Sequence, residues 1–196
     1  MNLTYLLVKD DKQTLSRSWL NVAPILELAG DKDAYRNFCS RMSKQFSETE
    51  NTQDATHTCK VCLLLPATLD LAQLSAKPVT TSLEDGTPPS ELLANRWGLN
   101  ALLAYREGDA NLALDCLKKA EESNVDDYAQ AQNLVIQALA EQKLDRSDDA
   151  LRSQQLAAKA IAKLEENPGS SGHRDLLIAQ VLLREVQAAS DKRKEP

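Results

Sequence analysis

Two stretches of this sequence, 78 residues apart, carry the same pair of signals. Trp19 is followed eleven residues later by a Gly-Asp dipeptide that begins at Gly30, and Trp97 is followed eleven residues later by another that begins at Gly108. Repetition of this kind is the mark of arrays in which each unit buries its apolar face against the next. The recurrence therefore limits the possible folds more than any other feature.

Two more helix-breaking positions complete the pattern. Pro66 ends the apolar run VCLLLP between the two Gly-Asp turns, and Asp145-Arg146 interrupts helical sequence after them. The four turns then follow one another at 36, 42 and 37 residues. These intervals are typical of helix-turn-helix units of about 34 to 40 residues.

Composition supports helices over strands. Apolar residues make up 42% of the chain and are mainly Leu and Ala, which favour helices, while aromatic residues make up only 4%. The six Gly and seven Pro are grouped in a few places and lack the regular short spacing that an all-β chain needs for its turns. An all-α fold is predicted.

The predicted domain covers residues 14–189, between a lead-in segment at 1–13 and a charged tail at 190–196. A last amphipathic helix at 173–189 is expected to cap the stack, because an array otherwise ends on an apolar face. In the first two units, helices are predicted at 14–29, 32–46, 53–65 and 67–77. The four units are expected at about 14–46, 53–77, 90–122 and 126–165.

The third unit resembles the tetratricopeptide repeat, through Trp97, Ala101, Ala113, Leu117 and Ala120. The resemblance implies a right-handed α-α superhelix of about four helical hairpins plus the capping helix. The other units follow the pattern less closely. The fourth unit departs from it at Gln154 and the first at Tyr35.

A more particular resemblance lies in the segments at 29–42, 56–66, 101–120 and 175–187. In order and spacing they are similar to the C-terminal helical-repeat region of planctomycete proteins related to serine/threonine protein kinases. The resemblance implies a regulatory or docking segment of a bacterial, cytoplasmic signalling protein. The kinase signatures, a Gly-rich loop, H-R-D and D-F-G, are absent from this sequence, so a linked kinase domain would lie outside it.

No constellation in the sequence predicts catalysis, a cofactor or a metal site. Cys59 and Cys62 have the spacing of a zinc or redox pair, but two more ligands are missing nearby, and His57 does not share their helix face. A nucleophile also needs an oriented base, and the only histidines are His57 and His173. All four cysteines are interpreted as reduced packing residues.

Charge and hydropathy argue against two classes of partner, nucleic acids and membranes. The net charge is −6, and no stripe of Lys and Arg is visible, which argues against nucleic acid. No apolar run approaches the roughly 18 to 20 residues that cross a bilayer, so membrane insertion is not expected. The predicted location is cytoplasmic.

The expected partner is a protein or peptide, bound in the groove lined by the first helix of each unit. Arg offers a bidentate fork there, and Asn or Gln can pair with a backbone amide. Two alternatives stay open: a structural spacer without a ligand, and a small-molecule sensor that regulates a linked kinase. By analogy with tetratricopeptide arrays, the outward positions of these first helices are the candidate binding residues: Lys60, Asn95, Tyr105, Arg106, Gln132, Gln142 and Lys143.

Overall fold

The structure, a computed structural model, describes residues 16–66, 71, 74, 90–123, 125–167 and 172–192. Within these ranges there are eight α-helices and no strand, which confirms the all-α prediction for this part of the chain. The helices are α1 Ser16–Leu28, α2 Lys32–Gln45, α3 Thr52–Cys62, α4 Ser90–Glu107, α5 Ala110–Glu121, α6 Asp127–Lys143, α7 Ser147–Glu166 and α8 His173–Lys192.

Several predicted boundaries need correction. Helix α3 ends at Cys62 instead of residue 65, because Pro66 disfavours helical backbone in the residue before it. Helix α8 continues to Lys192, three residues into the predicted charged tail. The predicted lead-in at 1–13, the helix at 67–77 except residues 71 and 74, and the tail beyond 192 lie outside the described residues.

The turns at Gly30 and Gly108 have the same geometry. Both glycines have positive φ, 77° and 100°, where a side chain would be strained. In each, the following Asp donates its backbone N–H five residues back, from Asp31 to Leu26 at 3.1 Å and from Asp109 to Ala104 at 2.9 Å. These bonds satisfy carbonyls at the end of the first helix, as in a Schellman motif.

The same two Asp side chains start the next helix. Asp31 Oδ1 accepts from the Ala34 amide at 3.0 Å, and Asp109 Oδ1 accepts from the Leu112 amide at 2.9 Å. A side-chain oxygen at this position satisfies an amide that the helix itself leaves unpaired. The Gly-Asp dipeptide thus ends one helix and begins the next.

The two tryptophans occupy similar places. Trp19 of α1 packs on Phe38 of α2 with ring centroids 4.7 Å apart, and Arg41 Cζ lies 5.7 Å from its ring. Trp97 of α4 has Lys119 Nζ of α5 at 4.5 Å from its ring centroid. In both cases the cation follows the tryptophan by 22 residues, so each ring lies between the two helices of its own hairpin.

Helix α8 ties the two ends of the described chain together. It packs most extensively on α6 and also contacts α7 and α1. Its residues Asp175 and Ser190 contact Gln132 and Gln142 of α6 in the same order, so α8 runs parallel to α6. One continuous apolar core includes residues from all eight helices.

Candidate functional site

Most of the predicted groove residues lie on the face of the molecule that contacts α8. Lys60 of α3 and Gln132 of α6 both reach Asp175 in the first turn of α8. Lys60 Nζ lies 3.3 Å from Asp175 Oδ1, and Gln132 Nε2 donates to the Asp175 carbonyl oxygen at 3.0 Å. The adjacent cations keep the pKa of Asp175 below its ordinary value, against the opposing effect of burial.

Arg106 joins three helices at the middle of this face. Its guanidinium pairs with Glu185 of α8 through two bonds, of 2.6 and 2.7 Å. It also donates to the backbone carbonyls of Leu63 and Leu64, both at 2.8 Å. The Arg106 side chain is only 4% exposed. These bonds cap the carbonyl end of α3 and hold α8 against α4 at once.

Gln142 fixes the far end of α8. Its Nε2 donates to Ser190 Oγ at 2.7 Å and to the Val186 carbonyl at 3.3 Å. Four of the seven predicted residues, Lys60, Arg106, Gln132 and Gln142, therefore form polar contacts with the last helix of the same chain.

The other three predicted residues lie around α8. Asn95 of α4 lines an open pocket near the beginning of α8. Tyr105 is half-buried at the other end of α4, where Lys143 Nζ lies 5.6 Å from its ring centroid. Lys143 is exposed. Asn95 thus lies near the first turn of α8, whereas Tyr105 and Lys143 lie near the C-terminal ends of α4 and α6.

Sequence reasoning missed the other half of these contacts. Asp175, Glu185 and Ser190 lie on a helix interpreted only as a cap. A signal was present, because Asp175 and Glu185 are acidic residues in a mostly apolar segment, and carboxylates that become largely buried need partners.

A serine–histidine pair was also not predicted from the sequence. Ser16 Oγ and His57 Nδ1 are 2.7 Å apart and join α1 to α3. Ser16 is only 3% exposed, so a substrate would not reach its hydroxyl. Burial, then Arg174 and Lys60, lower the pKa of His57 to about 4, so the ring is neutral at pH 7. This pair has the geometry of a buried structural contact.

The cysteines lie in the core. Cys39, Cys59, Cys62 and Cys116 are all buried and free. Burial raises the pKa of the Cys59 thiol to about 12, and burial also raises that of Cys116. Among the described residues, no three His, Cys, Asp or Glu side chains are grouped as metal ligands.

No described helix has both the length and the apolar character needed to cross a bilayer. The chain matches no protein-family model, no curated protein and no solved structure.

Proposed function

We propose that this chain is a non-catalytic protein-interaction module built from tetratricopeptide-like helical hairpins. Its binding surface would be supplied by the first helix of each hairpin. The matching turns at Gly30 and Gly108, and the matching Trp–cation contacts, support a repeated architecture. The right-handed superhelix and the link to a serine/threonine kinase stay predictions from the resemblance.

One observation carries the proposal: the first-helix side chains hold a helix. Lys60, Arg106 and Gln132 come from three different helices, and each binds α8 through a charged or polar group. An amphipathic helix that lies in a groove is a common mode of peptide recognition. The resident helix supports the use of this face for binding.

The position of α8 limits where a partner segment can dock. Because α8 fills the middle of the face, the surface left open lies at its two ends. A pocket of about 430 Å³ lies at the C-terminal end of α8, beside Gln142, and a larger one of about 530 Å³ lies at the N-terminal end, around Asn95 and Lys60. We place the partner segment at the N-terminal end. A spacer would need no such recess, and the polar lining of this end therefore favours the binding function over the spacer.

A photo-crosslinking amino acid at Asn95 tests the proposal in the full chain. Asn95 is half-buried at the edge of the open pocket, so a docked segment would lie within reach. The control carries the same crosslinker at Lys159, an exposed position on α7. Both proteins are expressed in their native cells and irradiated, and the adducts are identified by mass spectrometry.

The expected result is one protein that crosslinks through Asn95 and not through Lys159. That protein, once purified, should also bind the unmodified chain in solution. If adducts form equally at both positions, or if the purified protein does not bind, the interaction proposal is wrong and the spacer function is favoured.

A further inference from the structure

The open pocket at the start of α8 has an unusual charge for this protein. It measures about 530 Å³ and lies where α1, α3, α4 and α6 meet the first turn of α8. The chain as a whole carries a net charge of −6. Among the residues that the structure describes, the charged side chains that line the pocket are four cations and two carboxylates: Arg17, Lys60, Arg96, Arg174, Asp126 and Asp175.

Both carboxylates already have partners. Asp126 Oδ1 accepts the Ala129 amide at 2.7 Å, where it caps the N-terminus of α6. The two oxygens of Asp175 are shared between Lys60 at 3.3 Å and Arg174 at 3.2 Å. These carboxylates therefore leave the remaining cations of the pocket uncompensated.

Two of the arginines form no ion pair with another described residue. Arg17 and Arg96 both face the pocket, and burial lowers the pKa of Arg96. Arg174 Nε is buried and has no hydrogen-bond acceptor within the described ranges, although Arg174 Nη2 pairs with Asp175. A buried charged donor without an acceptor is costly, and the Arg174 guanidinium is therefore only partly compensated by Asp175.

The pKa of His57 also reflects the positive charge of the pocket. His57 lines the pocket, and after burial itself the largest causes of its low pKa are Arg174 and Lys60, with a further contribution from Arg17. Asp54, which lies outside the pocket lining, acts in the opposite direction. Cations from α1, α3 and α8 therefore all act on the same imidazole ring, that of His57.

We propose that this pocket binds a phosphate group. Four cations against two engaged carboxylates leave an excess of two positive charges, which matches a phosphate of about −1.5 to −2 at pH 7. Guanidinium groups bind phosphate oxygens through two parallel hydrogen bonds, and three of the four cations are arginines. A single carboxylate would leave part of this charge unpaired.

This is the same pocket in which we place the partner segment, so a phosphorylated partner would rest on the proposed function, whereas binding of phosphate itself requires no partner protein. Phosphate binding can be measured on the isolated full chain without a partner protein. The crosslinking result and the phosphate result can therefore fail separately. The phosphate can belong to a free phosphorylated small molecule or to a phosphorylated side chain of a peptide.

Calorimetric titration of the full chain with inorganic pyrophosphate tests the site. Arg96→Gln and Arg17→Gln should each weaken binding by about 10-fold or more, because each removes a charge-assisted contact. Neither arginine forms an ion pair with a described residue, so both variants should fold. The control is Arg152→Gln, which removes the same charge from an exposed pair on α7 and should leave the affinity unchanged.

A second readout separates local binding from general charge attraction. Saturating pyrophosphate should raise the pKa of His57 above its value of about 4, as followed by the NMR signals of its ring. No binding, equal loss in Arg152→Gln, or an unmoved His57 titration would overturn the proposal.

Two further ligands identify the source of the phosphate. A phosphoserine peptide is titrated beside its unphosphorylated form, and free inorganic phosphate is titrated alone. Tighter binding of the phosphopeptide than of free phosphate would support the site with a peptide source. The reverse order would support it with a small-molecule source. Equal binding of the phosphorylated and unphosphorylated peptides would contradict phosphate recognition.

Discussion

At the scale of single residues, the turn at Asp145 differs from the turns at Gly30 and Gly108. Asp145 takes the positive-φ position, at 58°, and Arg146 stands where Asp31 and Asp109 cap the following helix. The backbone bond from the Arg146 amide to the Glu141 carbonyl, at 3.0 Å, matches the other two turns. Arg146 makes no capping bond with its side chain. The turn at Asp145 therefore has the same backbone bond as the other two but lacks the side-chain bond that caps the next helix.

Restoring that bond should stabilise the protein. Arg146→Ser places a hydroxyl at the N-cap of α7 and is expected to raise the free energy of unfolding by about 1 kcal/mol. Serine is preferred to aspartate there because Asp145, Asp148 and Asp149 are already close in sequence. The matched change, Asp109→Ala, removes an existing cap and should lower the free energy of unfolding by about 1 kcal/mol. Urea unfolding curves measure both, and a destabilised Arg146→Ser would contradict the expectation.

His57 should make stability depend on pH. Its pKa is about 4 in the folded protein and 6.5 in the unfolded chain, so the unfolded state binds more protons between these values. The contribution of neutral His57 is fully present above pH 6.5 and is lost as the pH falls toward 4. After allowance for solvent at the pocket wall, the loss amounts to about 2 kcal/mol.

His57→Asn isolates this effect, because an amide oxygen can replace Nδ1 as the partner of Ser16 without titrating. Unfolding free energies at pH 7 and pH 4.5 should differ by about 2 kcal/mol less in the variant than in the unchanged protein. Equal pH dependence in the two proteins would show that other groups are responsible. Asp175 acts below this window, since its lowered pKa matters only as the pH falls through its ordinary range.

The analogy with tetratricopeptide arrays indicated Lys60, Arg106, Gln132 and Gln142 as groove positions, but it did not indicate that α8 of the same chain would contact them. The sequence also did not indicate the arginines of the pocket. Arg17, Arg96 and Arg174 lie far apart in the sequence and form no basic run. Only the packing of α1, α4 and α8 brings them together.

At the scale of helices, Arg106 is the strongest link between elements. It is almost fully buried, and its removal would leave Glu185 and two carbonyls without their donor. Losing one partner of a buried pair usually costs about 3–5 kcal/mol, whereas exposed pairs contribute about 0–1 kcal/mol. The polar contacts of α8 are therefore expected to differ by several-fold in their contribution to the free energy of unfolding.

Arg106→Gln should lower the free energy of unfolding by about 3 kcal/mol, measured with urea. Arg106→Lys keeps the charge but loses the fork that reaches Leu63, Leu64 and Glu185 together, and should cost about 2 kcal/mol. The exposed control Arg152→Gln should change stability by less than about 0.5 kcal/mol. A lysine variant as stable as the unchanged protein would show that charge alone holds the junction.

The sequence predicted the existence and order of most helices because Leu and Ala recur with helical period between clear turn signals. It did not predict the role of α8. An amphipathic segment at the end of an array is expected to cover the last unit, and α8 does contact α6 and α7. Its additional contact with α1 depends on how the hairpins curve, which no local pattern encodes.

At the scale of the whole molecule, the contact between α8 and α1 changes how the chain should unfold. In an open array each unit contacts only its neighbours, so damage at one end stays local. Here the first and last described helices pack together, and one continuous core runs through all eight. Stability should therefore be shared between the two ends of the described chain.

Val186→Ala tests this sharing. Val186 is fully buried on α8, and its truncation should cost about 2 kcal/mol. Native-state hydrogen exchange should then accelerate by about 30-fold in α1 as well as in α6, α7 and α8. The control Leu156→Ala truncates a half-exposed side chain on α7 and should have little effect. Acceleration confined to α6–α8 would indicate an open array.

The buried cysteines give the protein its own reporters of opening. Cys39 and Cys59 lie in the N-terminal helices, while Cys116 lies in α5. A thiol reacts as its thiolate, so an alkylating reagent can label these positions only after the surrounding helices separate. The relative labelling rates at Cys59 and Cys116 would reveal, without any substitution, whether the two halves of the molecule separate in the same event.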